Sequence, residues 1–271
     1  MKKNIGHFIT ISFILIGLSA ICSSCKDANA KNGNTANPPT PTSYQLVWSD
    51  EFNRSAIDTT NWNFEIGGNG WGNHEQEYYQ RENASIENGC LVITGKKEDE
   101  GGKHYTSSRM TTQAKHEFLY GRIEARIKIP VGQGFWPAFW MLGADINEVL
   151  WPACGETDIM EHINSDSLIY GTLHWDKNGH VQRGDTLRST PSGFHVYAVE
   201  WDKDFIKWYV DSIKYHTVAI TNGINSTEEF QKPSFILLNL ALGGDWPGQH
   251  IDDNKLPAKM YVDYIRVYQK K

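Results

Sequence analysis

The chain has 271 residues, a net charge of −6, 39% hydrophobic and 12% aromatic content, which suits one large globular domain with ample core. An acidic balance with no basic stripe excludes nucleic acid as a partner. The ten tryptophans are many for this length; indoles outside a core make flat platforms for sugar rings or bases.

The chain opens on Lys2 and Lys3, followed by the apolar run Phe8 to Ile21 and the small residues and cysteines of ICSSCKD. This is the pattern of an export signal rather than of a folded element. Cys25, preceded by Ser23 and Ser24, resembles the lipidation site of bacterial lipoproteins and fits better than Cys22. Residues 1–25 are therefore expected to be a lipoprotein signal with Cys25 as the lipidated residue, placing an exported protein on the outer membrane, at the cell surface. A simply cleaved secretory peptide is the alternative. Residues 26–43, KDANAKNGNTANPPTPTS, lack aromatic and large aliphatic residues and read as a disordered tether. Beyond it only Cys90 and Cys154 remain, too few for a disulfide framework.

From Tyr44 to Lys271 the chain shows short alternating runs separated by Gly, Asn and Asp, with almost no helical periodicity. Examples are CLVITGK, YGRIEARIKI, LIYGTLHW, FILLNLAL and MYVDYIRVYQ, and FHVYAVEW and FIKWYVD are joined by DKD as a hairpin. The expected fold is all-β, a jelly-roll sandwich of two antiparallel sheets, with no second domain. In FWPAFWML, alternation places Trp136, Ala138 and Trp140 on one face, where two indoles would sit about 13 Å apart. They are either cleft platforms or sandwich core. The Gly-rich GGNGWGNHEQEYY is either a polar binding loop or plain surface.

Residues 155–164, GETDIMEHIN, hold three carboxylates, Glu156, Asp158 and Glu161, in an otherwise strand-like run. Regular alternation puts Glu156 and Asp158 on one face and Glu161 on the other. One bulged residue between Asp158 and Glu161 returns Glu161 to its companions.

The residues now resemble glycoside hydrolase family 16, in its laminarinase-like branch. The likeness runs in order through WSDEF (48–52), GWGNHEQEYY (70–79), YTSSRMTT (105–112), YGRIEARIKIP (120–130), GFWPAFWMLG (134–143), WPACGETDIMEH (151–162), EWD (200–202), GGDWPG (243–248) and VDYIRVYQ (262–269). It implies a jelly roll with a concave substrate cleft and a bulged E-x-D-x-x-E motif. Glu156 would be the nucleophile, Glu161 the general acid/base, and Asp158 the group that holds them. A retaining glycosidase needs one ionised carboxylate to attack the anomeric carbon and one protonated carboxyl to protonate the leaving oxygen, about 5 to 5.5 Å apart.

The resemblance further implies substrate contacts at Asn73, Arg109, Trp136, Trp140, Trp151, His174 and Trp246. A structural calcium would bind at Glu51, the carbonyl of Gly89 and Asp263, oxygen ligands of the kind calcium takes. No cofactor is implied for catalysis, and a monomer is expected, with a β-glucan polysaccharide as its partner. The activity implied is an endo-β-glucanase on β-1,3 or mixed β-1,3/1,4 glucans. A galactan hydrolase on the same scaffold and a non-catalytic glucan-binding protein are the alternatives. Thr157 and Cys154 depart from the usual motif; Thr157 should face away from the acids, and Cys154 is either reactive or simply buried.

Overall fold

The computed structural model describes residues 43–191 and 193–271. The expected signal at 1–25, the lipidated Cys25 and nearly all of the tether lie outside the described residues.

Among the described residues the only α-helix is the four-residue turn Ile146–Val149; the regular structure is otherwise strand with a few short 3-10 turns. Two large sheets carry the fold. The first runs in the order Ile213–Ala219, Phe205–Val210, His195–Trp201, Gly121–Lys128, Ala258–Lys270, Cys90–Glu100, Lys103–Ser107, Glu77–Tyr79. The second runs His180–Arg188, Leu168–Asp176, Glu156–Glu161, Phe135–Gly143, Ser234–Leu242, Arg109–Thr111, Asn63–Glu65. Pairing is antiparallel except between Glu77–Tyr79 and Lys103–Ser107. The hairpin expected at DKD forms, with Tyr197 opposite Val210 and Trp201 opposite Ile206. Asp202 Oδ1 closes its turn by accepting from the amides of Asp204 and Phe205.

The two sheets share one core, to which the first contributes Ile93, Ile123, Ile127 and Tyr197, and the second Phe139, Ile159, Leu173 and Leu238. The strand Ser234–Leu242, SFILLNLAL, is buried along its whole length. Its apolar run, interrupted only by Asn239 after the opening Ser234, reflects cover on both faces. It pairs in unbroken register with Phe135–Gly143, and that strand pairs with Glu156–Glu161. The three acids therefore stand on the third strand from one edge of a sheet whose inner face is sealed by the core.

Candidate active site

The acids reach one face because the catalytic strand breaks register. Glu156 pairs with His174, Thr157 with Leu173 and Asp158 with Thr172, and pairing resumes at Glu161 with Tyr170. The same break appears on the other side, where Phe139 opposes Met160 but Trp140 opposes Asp158. Ile159 is the inserted residue, and both Ile159 and Met160 turn into the core. Two consecutive inward residues reverse the parity, so Glu161 rejoins Glu156 and Asp158. Thr157, between the first two acids, is buried on the inner side. The Asp158 carbonyl, at the break, accepts the indole N–H of Trp208 at 2.7 Å. Trp208 comes from the opposite sheet and fits because residue 171 has no side chain: a Cβ there would lie 2.5 Å from the Trp208 ring and 2.3 Å from the Tyr215 hydroxyl.

Each acid has its own partners. Trp151 Nε1 donates to Glu156 Oε2 at 2.9 Å, and Trp136 Nε1 donates to Glu161 Oε1 at 2.9 Å. His174 Nε2 lies 3.0 Å from Asp158 Oδ2 and 3.9 Å from Glu156 Oε1. Asp158 also shares a side-chain hydrogen bond with Glu156. Burial is the largest influence on all three carboxyls and raises each above its ordinary range, Asp158 to about 7 and Glu156 to about 8.

The smaller influences separate the two glutamates. The charge of Asp158 raises Glu156, but His174, the Trp151 bond and Arg109 all favour its ionised form. Glu161 is raised well above its ordinary range, first by burial, then by the charge of Asp158, with Glu156 adding to it; only the Trp136 bond and His174 oppose this. Three close buried carboxyls do not ionise together. Of the two glutamates, Glu156 has more neighbours that favour its charge and Glu161 more that favour its proton.

The remaining residues expected in the site are linked to this centre. Trp140 opposes Asp158, donates to Asn239 Oδ1 at 2.8 Å, and has the Arg109 guanidinium over its ring at 4.7 Å. Arg109 also covers Trp71 and donates to Glu65. Trp246 meets Trp136 edge-on at 5.5 Å. The Asn73 carbonyl accepts from the amide of Asp245 beside it, and the Asn73 side chain donates to Glu75. Trp136 and Trp140 are half-buried and outside the main core, though Trp140 packs against a smaller apolar cluster of Leu142, Cys154, Phe235 and Leu237. Cys154 is a free, buried thiol pushed up to about 11 mainly by burial. No bridge joins it to Cys90, and a thiol so placed is a packing group, not a nucleophile.

Comparison with known proteins agrees with this geometry. The sequence matches the profile of the glycosyl hydrolases family 16 over residues 72–266. The chain belongs to that family. It is 39% identical to a β-glucanase of Rhodothermus marinus, over 99% of this chain and 96% of that protein. It is 45% identical to the clotting factor G alpha subunit of Tachypleus tridentatus, over 83% of this chain but 34% of that subunit; the chain thus spans about a third of that longer relative. Among solved structures, the laminarinase catalytic domain of Thermotoga maritima superposes with a TM-score of 0.77 at 46% identity, covering 84% of this chain and 99% of that one.

The family resemblance also pointed to calcium. Glu51 receives both donors of Arg266, each at 2.8 Å, and Asp263 receives Arg126 at 2.8 Å. Gly89 occupies the turn between Ala84–Glu87 and Cys90–Glu100. Carboxylates already neutralised by guanidinium groups fit a hard divalent cation poorly, and no step below runs through a metal.

Four residues of this family 16 site escaped the sequence reading: Tyr170, His180, Asn239 and Glu65. Tyr170 carried a signal, since alternation along LIYGTLHW puts it on the face of His174. Asn239 and Glu65 meet the site through pairings distant in sequence, and His180 through a diagonal contact across the hairpin to His174.

Proposed function

We propose that the protein is a retaining endo-β-glucanase that cleaves β-1,3 and mixed β-1,3/1,4 glucans, such as laminarin, lichenan and cereal β-glucan, by double displacement. One observation carries this reading. Burial and Asp158 raise both glutamates, but His174, the Trp151 bond and Arg109 pull Glu156 back toward its charged form, whereas at Glu161, on the same bulged strand, Glu156 adds to the push toward the protonated form. That is the division of labour a retaining glycosidase needs.

In the first half-reaction Glu156 attacks the anomeric carbon as the Glu161 proton passes to the glycosidic oxygen, and the leaving chain departs with that proton. The product is a glycosyl ester on Glu156. In the second half, ionised Glu161 takes a proton from water as that water attacks the anomeric carbon and releases Glu156. Asp158 and His174 hold Glu156 on line. Trp136, Trp140, Trp151 and Trp246 offer ring faces to glucose units, and Asn73, Arg109 and His174 offer polar contacts to hydroxyls. Trp151 is 47% exposed and Trp246 39% exposed, which suits a chain lying across an open surface and internal cleavage.

Incubating the protein with laminarin, lichenan, barley glucan and agarose, and sizing the products, tests the reading. Short oligosaccharides from the glucans are expected. Cleavage of agarose alone would make the protein a galactan hydrolase, and binding without products would make it a carbohydrate-binding protein.

Export and lipidation at Cys25, with display on the outer membrane and a monomeric catalytic unit, belong to the same proposal and rest on residues 1–43 as sequence. Cys25→Ala should move the protein from the membrane fraction to the soluble one; unchanged membrane association would remove the anchor. Calcium at Glu51, Gly89 and Asp263 would have to use main-chain oxygens or displace Arg266 and Arg126. We therefore expect a chelator to leave the melting temperature unchanged.

A further inference from the structure

His180 begins the edge strand His180–Arg188 and is exposed, yet it touches both side chains that hold the Glu156–Asp158 pair. Its Nε2 lies 2.9 Å from His174 Nδ1. The two imidazoles have centroids 5.1 Å apart and planes only 14° apart, so this is an edge-to-edge, nearly coplanar hydrogen bond. The Trp151 ring rests on His180 at 4.6 Å, closer than its 6.3 Å to His174. Trp151 is the donor to Glu156 and His174 the neighbour of Asp158.

We propose that His180 is a positioning residue of the catalytic site, which fixes the tautomer of His174 and props Trp151. This rests on the β-glucanase reading of the same site.

Proton placement follows from the geometry. A neutral imidazole has one N–H and one lone pair. If His174 gave its N–H to His180, its unprotonated, electron-rich Nε2 would lie 3.0 Å from an Asp158 carboxylate oxygen, and the two would repel. The favourable arrangement is the reverse: His180 Nε2–H donates to His174 Nδ1, and His174 carries its proton on Nε2, the nitrogen 3.0 Å from Asp158 Oδ2, close enough for charge attraction though not aligned as a hydrogen bond. Naming the partner of one ring nitrogen sets the role of the other.

The hairpin holds His180 in this pose. Asp176 pairs with His180 across the turn, and its Oδ1 accepts from the amide of Gly179. Gln182, not His180, is the direct cross-strand neighbour of His174, so the contact is a diagonal one that ring size makes possible. The groups facing the His180 ring are His174 and Trp151; Asp176, beside it in the turn, is engaged with Gly179. Partial desolvation against Trp151 and His174, together with the charge of His174, lowers the proton affinity of His180, in keeping with a neutral donor.

Three variants test this: His180→Phe, which keeps a ring for Trp151 but no donor; His180→Ala, which keeps neither; and His180→Gln, whose amide N–H still reaches for His174. With lichenan as substrate, kcat/KM should fall about tenfold in the Phe and Ala variants, the scale of one hydrogen bond. The acid limb of their pH profile should move to higher pH, because a carboxylate pair that loses a fixed donor binds its proton more tightly. His180→Gln should restore both. In parallel, 15N NMR of the imidazoles should show His174 carrying its proton on Nε2 in the wild type and a mixture of tautomers in His180→Phe.

Wild-type pH profiles in both the Phe and Ala variants, or an unchanged His174 tautomer in His180→Phe, would overturn the proposal. The NMR measurement needs no turnover, so a wild-type protein inert on lichenan would sink the β-glucanase reading while leaving His180 decided by the tautomer.

Discussion

Trp136 and Glu161 are joined by a 2.9 Å bond from the indole N–H to Oε1, and this bond is the main force that lowers the proton affinity of a carboxyl otherwise pushed far up. Trp136→Phe keeps a ring in the cleft and removes the donor. Glu161 should then hold its proton to still higher pH, and the alkaline limb of kcat/KM should rise by about one pH unit, the scale of one hydrogen bond to a charged group. A limb that stays in place or falls would mean that Glu161 does not set it.

The same burial costs stability. For a carboxyl whose folded proton affinity exceeds its unfolded one, the native state binds more protons, so stability falls as pH rises through the interval between the two values. For Glu156 that interval runs from the ordinary 4.5 to about 8, and for Glu161 it starts at the ordinary glutamate value and runs higher. Glu161→Gln should be inactive yet melt roughly 2 to 4 °C higher at pH 8, the shift of about 1 kcal/mol in a domain of this size. At pH 4 the gain should vanish, because Glu161 is then protonated in the folded wild type and mostly so in the unfolded chain. Calorimetry at both pH values checks this; equal gains at both would show a packing effect instead.

Another buried acid stands on the strand Glu77–Tyr79. Glu77 is fully buried, accepts from the Leu242 amide at 2.7 Å, and is raised well above the ordinary range first by burial and then by Glu75. Both influences favour its neutral form. Glu77→Gln should unfold in urea within about 1 kcal/mol of wild type. Glu77→Ala leaves a void and an orphaned amide and should lose about 2 to 4 kcal/mol. Equal losses in the two variants would indicate a buried charge at this position.

Trp140 separates binding from folding. Its indole bonds Asn239 and lies under Arg109, outside the main core, so Trp140→Ala should weaken laminarin binding more than it lowers the melting temperature. The reverse order, with stability collapsing first, would return Trp140 to the core.

How far the site was legible depended on the range of the interaction that made each part. The bulge could be read because it is local: acids at 156, 158 and 161 cannot share a face without one inserted residue, and Ile159 beside Met160 supplies two consecutive core residues. The sheet-like alternation that fixes the fold class is local as well. Whether Trp136 and Trp140 were platforms or core could not be read, since alternation assigns a face but not what covers it. His180 was invisible because its contact is diagonal across a hairpin whose register is set by backbone pairing. The acids Glu51 and Asp263 looked like free ligands until Arg266 and Arg126, each on a neighbouring strand, were seen to hold them.

The central claim is that Glu156 makes the covalent bond and Glu161 moves the proton. Treating Glu156→Ala with an activated β-glucoside bearing a good leaving group, in the presence of azide, tests it most directly. Azide entering the space vacated by the carboxylate should restore cleavage and yield a glycosyl azide of inverted, α configuration. Glu161→Ala under the same conditions should give the β-azide, because Glu156 still forms the intermediate that azide then displaces. An α-azide from Glu161→Ala, with no rescue of Glu156→Ala, would exchange the two roles and contradict the account.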